Sequence, residues 1–360
     1  MIDKIIQDKV RGSLVGGACG DALGYPVEFV YSFEEIKYRY GGDGVQEYDM
    51  SYPWLDRQQR PTKALFSDDT QMTLYTAEAL LEAEKSGTPL LKTICEAYLI
   101  WFGHQADRKV KAGYKSALSE IDELNQRRAP GNTCMSALLS IYRGKEADNN
   151  SKGCGGVMRV APIGLYGAIH GWTLQETARI AGEAAALNHL HPLSTYSSAA
   201  LAVIIQQCVN TEHINRETFK IIVEDTLSII TGLYGESAPY MKEFTDIMHS
   251  AIRAADVKLS DWEIIENYLG EGWVAEETLA IAVFSVLRHI DNFSGCLVCA
   301  VNHGGDSDST GAVAGNIIGA IVGYNAIPAK FTVPLQLREL IIDMADAIVI
   351  KPTNTFETDN

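Results

Sequence analysis

The sequence lacks the features of nucleic-acid-binding and secreted proteins. Its 360 residues carry 30 basic and 46 acidic residues, which gives a formal charge of −16. Such a surface repels phosphate backbones, so we expect no nucleic-acid scaffold as a partner. Residues 1–12 alternate charged and apolar residues, with no continuous apolar run and no cleavage signature. Secretion is therefore not indicated.

Cysteine is too sparse and too scattered for a disulfide framework. The seven cysteines form an odd, dispersed set, which is typical of free thiols in a reducing compartment. We therefore expect a cytoplasmic protein. Cys296 and Cys299 form one CxxC motif, but no second pair completes a zinc site, so we interpret them as two small helical residues.

Strand patterns are also scarce, and no turn of the Asn-Gly type separates two of them. Apolar residues instead recur at helical spacing, which predicts an all-α protein. We assign 1–350 to a single domain and 351–360 to a polar tail. The predicted helices cover about 71–85, 90–102, 114–126, 174–187, 194–209, 217–232, 238–255, 275–290 and 337–348.

The segment 40–65 has no periodicity and is rich in Gly, Asp, Tyr and Pro. A loop of this length in a compact domain is either functional or disordered. Its aromatic residues, Tyr48, Tyr52 and Trp54, have two interpretations. They anchor the loop to the domain, or they help it to close over a cleft as a lid.

Two segments carry glycine at every fourth position. On a helix each set forms a stripe without side chains, and each interior glycine costs about 1 kcal/mol relative to alanine. Close packing of the two helices at the protein centre would compensate. A membrane dimer motif is disfavoured, because Asp21 and Asn316 interrupt the segments, and we expect no membrane partner. The stripes are Gly12, Gly16, Gly20 and Gly24, and Gly311, Gly315, Gly319 and Gly323.

Two acidic clusters precede predicted helices, FSDDTQM at 66–72 and HGGDSDSTG at 303–311. A single cluster of this kind would be read as a helix cap. Each of these, however, holds two acids and several hydroxyls, more than a cap needs. If both clusters meet, four like charges in one pocket need neutralising, and two divalent cations would do so. Carboxylate and hydroxyl oxygens suit Mg²⁺ or Mn²⁺, with Ca²⁺ as an alternative, and argue against zinc.

Five motifs, in their order and spacing, resemble the ADP-ribosylglycohydrolase family, which includes the dinitrogenase reductase-activating glycohydrolases. They are GDALGYPVEF, FSDDTQM, APGNTCMSAL, KGCGGVMRVAP and NHGGDSDSTGAVAGNIIGA, between about residues 8 and 328. The resemblance implies a compact, orthogonal all-α bundle whose central cleft holds a dinuclear Mg²⁺ or Mn²⁺ site.

The resemblance also implies roles for individual residues. Glu28 falls where the family places a mobile glutamate over the metals, and it joins Asp68 and Asp306 as the catalytic set. Cys154 stands where many relatives carry Asn or Ser, so one hydrogen bond to the substrate is in question. The implied metal ligands are Ser67, Asp68, Asp69, Asp306, Asp308 and Ser309. The implied substrate contacts are Gly153, Gly155, Gly156, Val157, Met158, Arg159 and His189.

The implied activity is metal-dependent hydrolysis of the N- or O-glycosidic bond at C1″ of ADP-ribose. The substrate would be an ADP-ribosylated protein or a small conjugate, and the attacking group a water activated by the metals. Arginine, serine and nucleotide acceptors stay open, as does the oligomeric state, although a chain of this size can act as a monomer. One alternative is a non-catalytic ADP-ribose-binding or structural protein on the same scaffold. A second is an aspartyl-phosphate phosphatase, suggested by DSDST but requiring an α/β domain.

Overall fold

A computed structural model of the chain describes residues 3–52 and 61–350, and these ranges form helices and no strand. Three isolated β-bridges join the loops, between Val30 and Gly305, Ala64 and Leu335, and Gly153 and Val274. The all-α prediction is therefore confirmed. The α-helices are α1 (Lys4–Gly24), α2 (Phe33–Tyr40), α3 (Asp68–Ser86), α4 (Leu90–Gln105), α5 (Asn132–Tyr142), α6 (Ala161–His170), α7 (Leu174–Ala185), α8 (Pro192–Asn210), α9 (Arg216–Tyr234), α10 (Met241–Ala254), α11 (Asp261–Ile264), α12 (Ala275–Arg288), α13 (Phe293–Val301), α14 (Ser307–Val322), α15 (Ala329–Thr332) and α16 (Arg338–Val349).

The two glycine-striped helices, α1 and α14, pack against each other in antiparallel orientation, as predicted. A Cβ on Gly16 would collide with the carbonyl oxygen of Gly315, and a Cβ on Gly20 with that of Gly311. The missing side chains thus allow backbone to touch backbone. Asn316 adds a polar link, because its Nδ2 donates to a carbonyl oxygen in α1, at Ser13, over 2.8 Å.

The α1–α14 pair forms the centre of the described structure, and α3, α8, α12, α13 and α16 pack around it. The register places the last turn of α1 beside the first turn of α14, because a Cβ on Gly24 would collide with the carbonyl oxygen of Ser307. The beginning of α14, which carries the second acidic cluster, is therefore held against α1. Gly323 departs from the predicted stripe, since it follows the end of α14 with φ of 80°.

The predicted helix over 114–126 is wrong, because only a 3-10 turn forms there, at Leu118–Glu120. Side chains satisfy the backbone groups that a helix would have used. The carboxylate of Glu78 accepts from the N–H of Ala117 at 2.7 Å and of Leu118 at 3.1 Å. The Asn125 amide donates to the Leu118 carbonyl at 2.8 Å. Such side-chain bonds compete with helix formation.

Tyr48 and Tyr52 anchor the 40–65 segment to the domain. The Tyr48 hydroxyl donates to the carbonyl oxygen of Phe331 at 3.0 Å. The Tyr52 side chain is fully buried, and its ring lies 6.3 Å from the ring of Tyr25, centroid to centroid. Trp54 and the tail at 351–360 lie outside the described residues, so the lid and the tail stay predictions.

The cysteines are free thiols, as predicted. All seven cysteines lie within the described residues, and each is unpaired. Within the described ranges, no helix combines the length and the apolar character needed to span a bilayer.

Candidate active site

The first acidic cluster begins α3. Ser67 is its N-cap, and the Ser67 hydroxyl accepts from the N–H of Asp69 at 3.2 Å. Asp21, on α1, fixes the position of this turn, since its carboxylate accepts from the Ser67 N–H at 2.7 Å and the Thr70 N–H at 3.0 Å. The carboxylates of Asp68 and Asp69 therefore project from a turn that is tied to the central helix.

The second acidic cluster begins α14. Asp306 is its N-cap and accepts from the Ser309 N–H at 3.4 Å, while Asp308 accepts from the same N–H at 2.9 Å. The Asp306 N–H donates to the carbonyl oxygen of Glu271 at 2.8 Å, which holds the turn from outside. The Cys154 thiol donates to Asp306 Oδ2, also at 2.8 Å. Contacts with Cys154, Glu271 and Ser309 thus fix both the carboxylate and the backbone of Asp306.

The structure brings the two clusters together. The Ser309 hydroxyl donates to Asp69 Oδ2 at 2.7 Å, across 240 positions of sequence. One carboxylate oxygen from each of Glu28, Asp306 and Asp308 lies within 4.8 Å of the others. All these side chains line one cavity of about 290 Å³. The predicted ligands and substrate contacts that line it are Asp68, Asp69, Gly153, Gly155, Met158, His189, Asp306, Asp308 and Ser309.

Capping alone does not account for this arrangement. In α9 a single side chain is sufficient, since Asn215 caps that helix by accepting from the Thr218 N–H at 2.9 Å. In the cavity, two helix N-termini face each other, and each brings two carboxylates with it. The positive ends of the two helix dipoles stabilise these charges only in part, because each end corresponds to about half an elementary charge.

Burial makes this cluster of carboxylates costly to ionise. It raises the pKa of Asp68, Asp69 and Asp306 well above the usual range, and the charge of the neighbouring Asp308 raises these values further. The pKa of Glu28 is raised by burial first and then by Asp308. Without compensating positive charge, such a group of acids cannot all be ionised at neutral pH.

The residues present fit two hard divalent cations. The described residues that line the cavity include no lysine or arginine, so the protein supplies no side-chain cation of its own there. The Glu28 Oε2 atom is buried and has no hydrogen-bond partner in the described part of the chain. The donors around it are carboxylate and hydroxyl oxygens, the ligands that Mg²⁺ and Mn²⁺ prefer.

Two residues act from behind the cavity wall. Ser67 is fully buried and does not line the cavity. Burial raises the pKa of Asp308, and hydrogen bonds with Asp306 and with the Ser67 hydroxyl oppose part of that rise. Asp21, which the sequence did not mark as a site residue, has a pKa raised to about 7 by burial and by the charge of Asp308. One feature of the sequence could have identified Asp21, because it is the only charged residue between Gly12 and Gly24.

The Gly-rich loop at 153–159 forms a 3-10 turn at Cys154–Gly156 beside the cavity. Its backbone donors are partly used within the protein. The N–H groups of Cys154, Val157 and Met158 donate to protein carbonyls at 2.9–3.1 Å, and the Gly153 N–H donates to the Ser151 hydroxyl at 3.3 Å. Only the remaining N–H groups of the loop can meet a substrate.

Three of the expected substrate contacts do not reach the cavity. Gly156 packs towards α8, and Val157 is fully buried. The Arg159 guanidinium turns into the core, where it donates to the Asn188 side chain and lies 4.4 Å from the centre of the Tyr98 ring. The side chains of these residues pack behind the loop instead of lining the cavity, and their contact with substrate stays a prediction.

His189 lines the cavity with its ring in a defined state. Burial and the positive charge of Arg159 lower its pKa to about 3, so the ring is neutral at ordinary pH. Its Nδ1 lies 3.2 Å from Asn188 Oδ1, an atom that can only accept. The proton is therefore assigned to Nδ1. Nε2 is left as an acceptor. It lies next to the Gly-rich loop, since a Cβ built on Gly153 would be 3.5 Å from it.

Glu28 and Phe29 form one wall of the cavity. They follow the 3-10 turn at Tyr25–Val27. Phe29 has a φ of 67°, uncommon for a residue with a side chain, and its ring stacks on Trp273 with 5.6 Å between the centroids. Such strained backbone is concentrated at functional sites.

The fold and the cavity define an all-α protein with a buried acidic cleft between two helix N-termini. The comparisons agree with this class. The model of the ADP-ribosylglycohydrolase family matches residues 3–357, and the chain belongs to that family.

The relatives extend over nearly the whole chain. The chain is 28% identical over 340 residues to an uncharacterised protein of Archaeoglobus fulgidus, covering 94% of this chain and 95% of that one. It is 25% identical to the ADP-ribosyl-[dinitrogen reductase] glycohydrolase of Rhodospirillum rubrum, covering 92% of each. A solved structure titled ADP-ribosylglycohydrolase-related protein complex has a TM-score of 0.66 at 24% identity, covering 96% of this chain and 99% of that one, and shows the same fold.

Proposed function

We propose that the protein is a metal-dependent hydrolase that releases ADP-ribose from a modified protein side chain or a small conjugate by cleaving the bond at C1″. The supporting observation is the convergence of the two acidic helix ends, joined through Ser309 and Asp69 at 2.7 Å. The family supports an ADP-ribosyl hydrolase, and relatives named for that activity support the substrate class.

The carboxylates of the two clusters, with the Ser309 hydroxyl, would hold two Mg²⁺ or Mn²⁺ ions. Ser67 would complete the first ligand set by turning its hydroxyl from its buried position. When bound, such ions supply positive charge that stabilises the developing negative charge and polarises a water and the substrate oxygens. Asp21 serves as a positioning residue, because it fixes the turn of Ser67 to Thr70 on α1.

Glu28 acts on the water or on the ribose hydroxyls. Its buried Oε2 has no partner among the described residues, and one of its carboxylate oxygens lies within 4.8 Å of Asp306 and Asp308. A carboxylate in this position can accept a proton from an attacking water, which is the role of a general base. Phe29 and Trp273 stack on each other and line that side of the cleft.

The cavity provides contacts for the remainder of ADP-ribose. The free N–H groups of the 153–159 loop would bind the diphosphate, as backbone donors in Gly-rich turns do. His189 Nε2, unprotonated, would accept from a ribose hydroxyl. The Cys154 thiol donates to Asp306, so it supports a metal ligand instead of binding the substrate.

The decisive assay measures ADP-ribose release from arginine-, serine- and nucleotide-linked substrates, with Mg²⁺, with Mn²⁺ and with EDTA. We expect release from at least one substrate that depends on the added cation. Asp68→Asn and Asp306→Asn should abolish it while the circular dichroism spectrum is unchanged. The matched control is Asp225→Asn, an exposed acid on α9, which should keep full activity.

Three results would contradict the proposal. The first is full activity in either active-site variant, and the second is release that EDTA does not affect. The third is tight ADP-ribose binding with no release from any substrate, which would instead identify a non-catalytic binder on this scaffold.

A further inference from the structure

A second group of metal-binding side chains lies apart from the acidic cleft. Asp261, His289 and Cys299 each offer one donor atom, and these atoms all lie within 4.8 Å of one another. They come from separate elements, since Asp261 begins α11, His289 follows α12, and Cys299 belongs to α13. No local motif predicts this group, because the CxxC motif at Cys296 and Cys299 has no second pair.

The carboxylate of Asp261 lies at the centre of the group and contacts both Arg288 and His289. Arg288 Nε lies 3.0 Å from Asp261 Oδ1, which occupies one oxygen of that carboxylate. The other oxygen, Oδ2, lies 2.7 Å from His289 Nε2. The side chains of Asp261 and His289 are 28% and 26% exposed, whereas Cys299 is buried. The group is thus open to solvent on one side only.

We propose that Asp261, His289 and Cys299 form a binding site for a single divalent cation of borderline softness, of which Zn²⁺ is the representative. A thiolate, an imidazole nitrogen and a carboxylate oxygen together are zinc ligands, unlike the all-oxygen donors of the cleft. Water on the open side takes the fourth position. Binding displaces the thiol proton of Cys299 to solvent, since the thiolate is the ligand.

The required rearrangement is small. Tetrahedral coordination at Zn–N and Zn–S distances of 2.0–2.3 Å separates neighbouring donors by about 3.3–3.8 Å. The 2.7 Å pair of His289 and Asp261 must therefore open by less than about 1 Å. Both side chains are partly exposed, so their rotation disturbs little packing. The Arg288 contact then acts as an outer partner that orients the carboxylate.

An ion at this site would stabilise the outer wall of the cleft. α11 continues into a π-turn at Ile265–Leu269, and Glu266 within it accepts from the N–H groups of Phe33 at 2.8 Å and Gly304 at 3.1 Å. Gly304 lies two positions before Asp306. Fixing the start of α11 therefore fixes a segment that supports the second acidic cluster.

The test uses the full chain, stripped of metal and titrated with Co²⁺ alone. A thiolate ligand gives a near-ultraviolet sulfur-to-cobalt absorption band. We expect one equivalent of this band in the wild type, its loss in Cys299→Ser, and its retention in Cys154→Ser. Cys154 is the matched control, because its thiol also faces a carboxylate, at 2.8 Å, but within the cleft.

A second variant keeps the test informative if Cys299→Ser fails to fold. His289→Gln changes a partly exposed side chain, and it should weaken Zn²⁺ binding, measured against a coloured chelator, by more than the roughly 10–100-fold lost with an outer partner. The proposal is overturned if the wild type shows no band, if the band is lost in Cys154→Ser instead, or if His289→Gln binds Zn²⁺ as tightly as the wild type. None of these results depends on hydrolase activity.

Discussion

Replacing one stripe glycine tests how the fold positions the site. Gly311 lies in the second turn of α14, two residues after Ser309. A Cβ at this position would collide with the carbonyl oxygen of Gly20, and it would lie 2.8 Å from the carbon of that carbonyl and 2.8 Å from Val301 Cγ1. Ordinary contact begins at about 3.4 Å, so the 2.8 Å contacts alone require α14 to move away from α1 by roughly 0.6 Å, and the carbonyl oxygen requires more. Most of the obstructing atoms belong to backbone and cannot rotate aside.

The expected cost follows from two opposing effects. Overpacking a tight interface costs about 1–3 kcal/mol, and the rigid backbone contact favours the upper part of that range. Alanine recovers about 1 kcal/mol through its higher helix propensity. Gly311→Ala should therefore lower the free energy of unfolding by about 2 kcal/mol. In Gly232→Ala, on α9, the Cβ meets nothing within 4 Å, so the same exchange should stabilise the protein by about 0.5–1 kcal/mol.

Urea unfolding in EDTA measures both variants against the wild type. The opposite signs separate packing from propensity, because the chemical change is identical. Titration with Mn²⁺ should in addition show weakened binding for Gly311→Ala only, since the shift of α14 carries Asp306 and Asp308 with it. Equal stabilisation by both substitutions would refute the tight contact between α1 and α14.

Three further predictions concern the cleft. In metal-free protein, the pKa of Asp21 is raised to about 7. The contribution of Asp21 to the free energy of unfolding is therefore fully present below about pH 4 and is lost as the pH rises through 7, by on the order of 4 kcal/mol. Urea unfolding should show this decline in EDTA and not in saturating Mn²⁺, and an equal decline in both would contradict the neutralising role of the cations. His189→Phe should raise KM. The imidazole signals of wild-type His189 should not titrate between pH 5 and 8 in NMR spectra, because the pKa of this ring is lowered to about 3. Titration in that range would refute the assigned neutral ring. Cys154→Ser should keep most activity, since a hydroxyl can replace the thiol as donor to Asp306, whereas Cys154→Val should lose it; equal activity in both would remove the donor role.

The central architecture was predictable because its sequence signal is unambiguous. A stripe of glycines at every fourth position serves close helix contact, and the observed pairing of Gly16 with Gly315 follows it. The meeting of Asp69 and Ser309 agrees with the prediction that the two similar acidic motifs share one pocket. Pattern and chemistry pointed in the same direction in both cases.

Other features depend on tertiary contacts that no local pattern encodes. Arg159 belongs to the Gly-rich motif, but the direction of its side chain is set by Asn188 and Tyr98 from other segments. Asp21 became recognisable only when the structure placed it under the turn of α3. The apolar spacing of 114–126 resembled a helix, and Glu78, from α3, overrode it by accepting the N–H groups of that segment.

The most direct test of the account is to locate the cations. Crystals of the wild type soaked in Mn²⁺ should give two anomalous-scattering peaks in the cavity, between the segments 67–69 and 306–309, and the Asp306→Asn variant should lose at least one of them. No peak in this cavity, or Mn²⁺ bound only elsewhere on the protein, would contradict the proposal that the two helix ends form a dinuclear site.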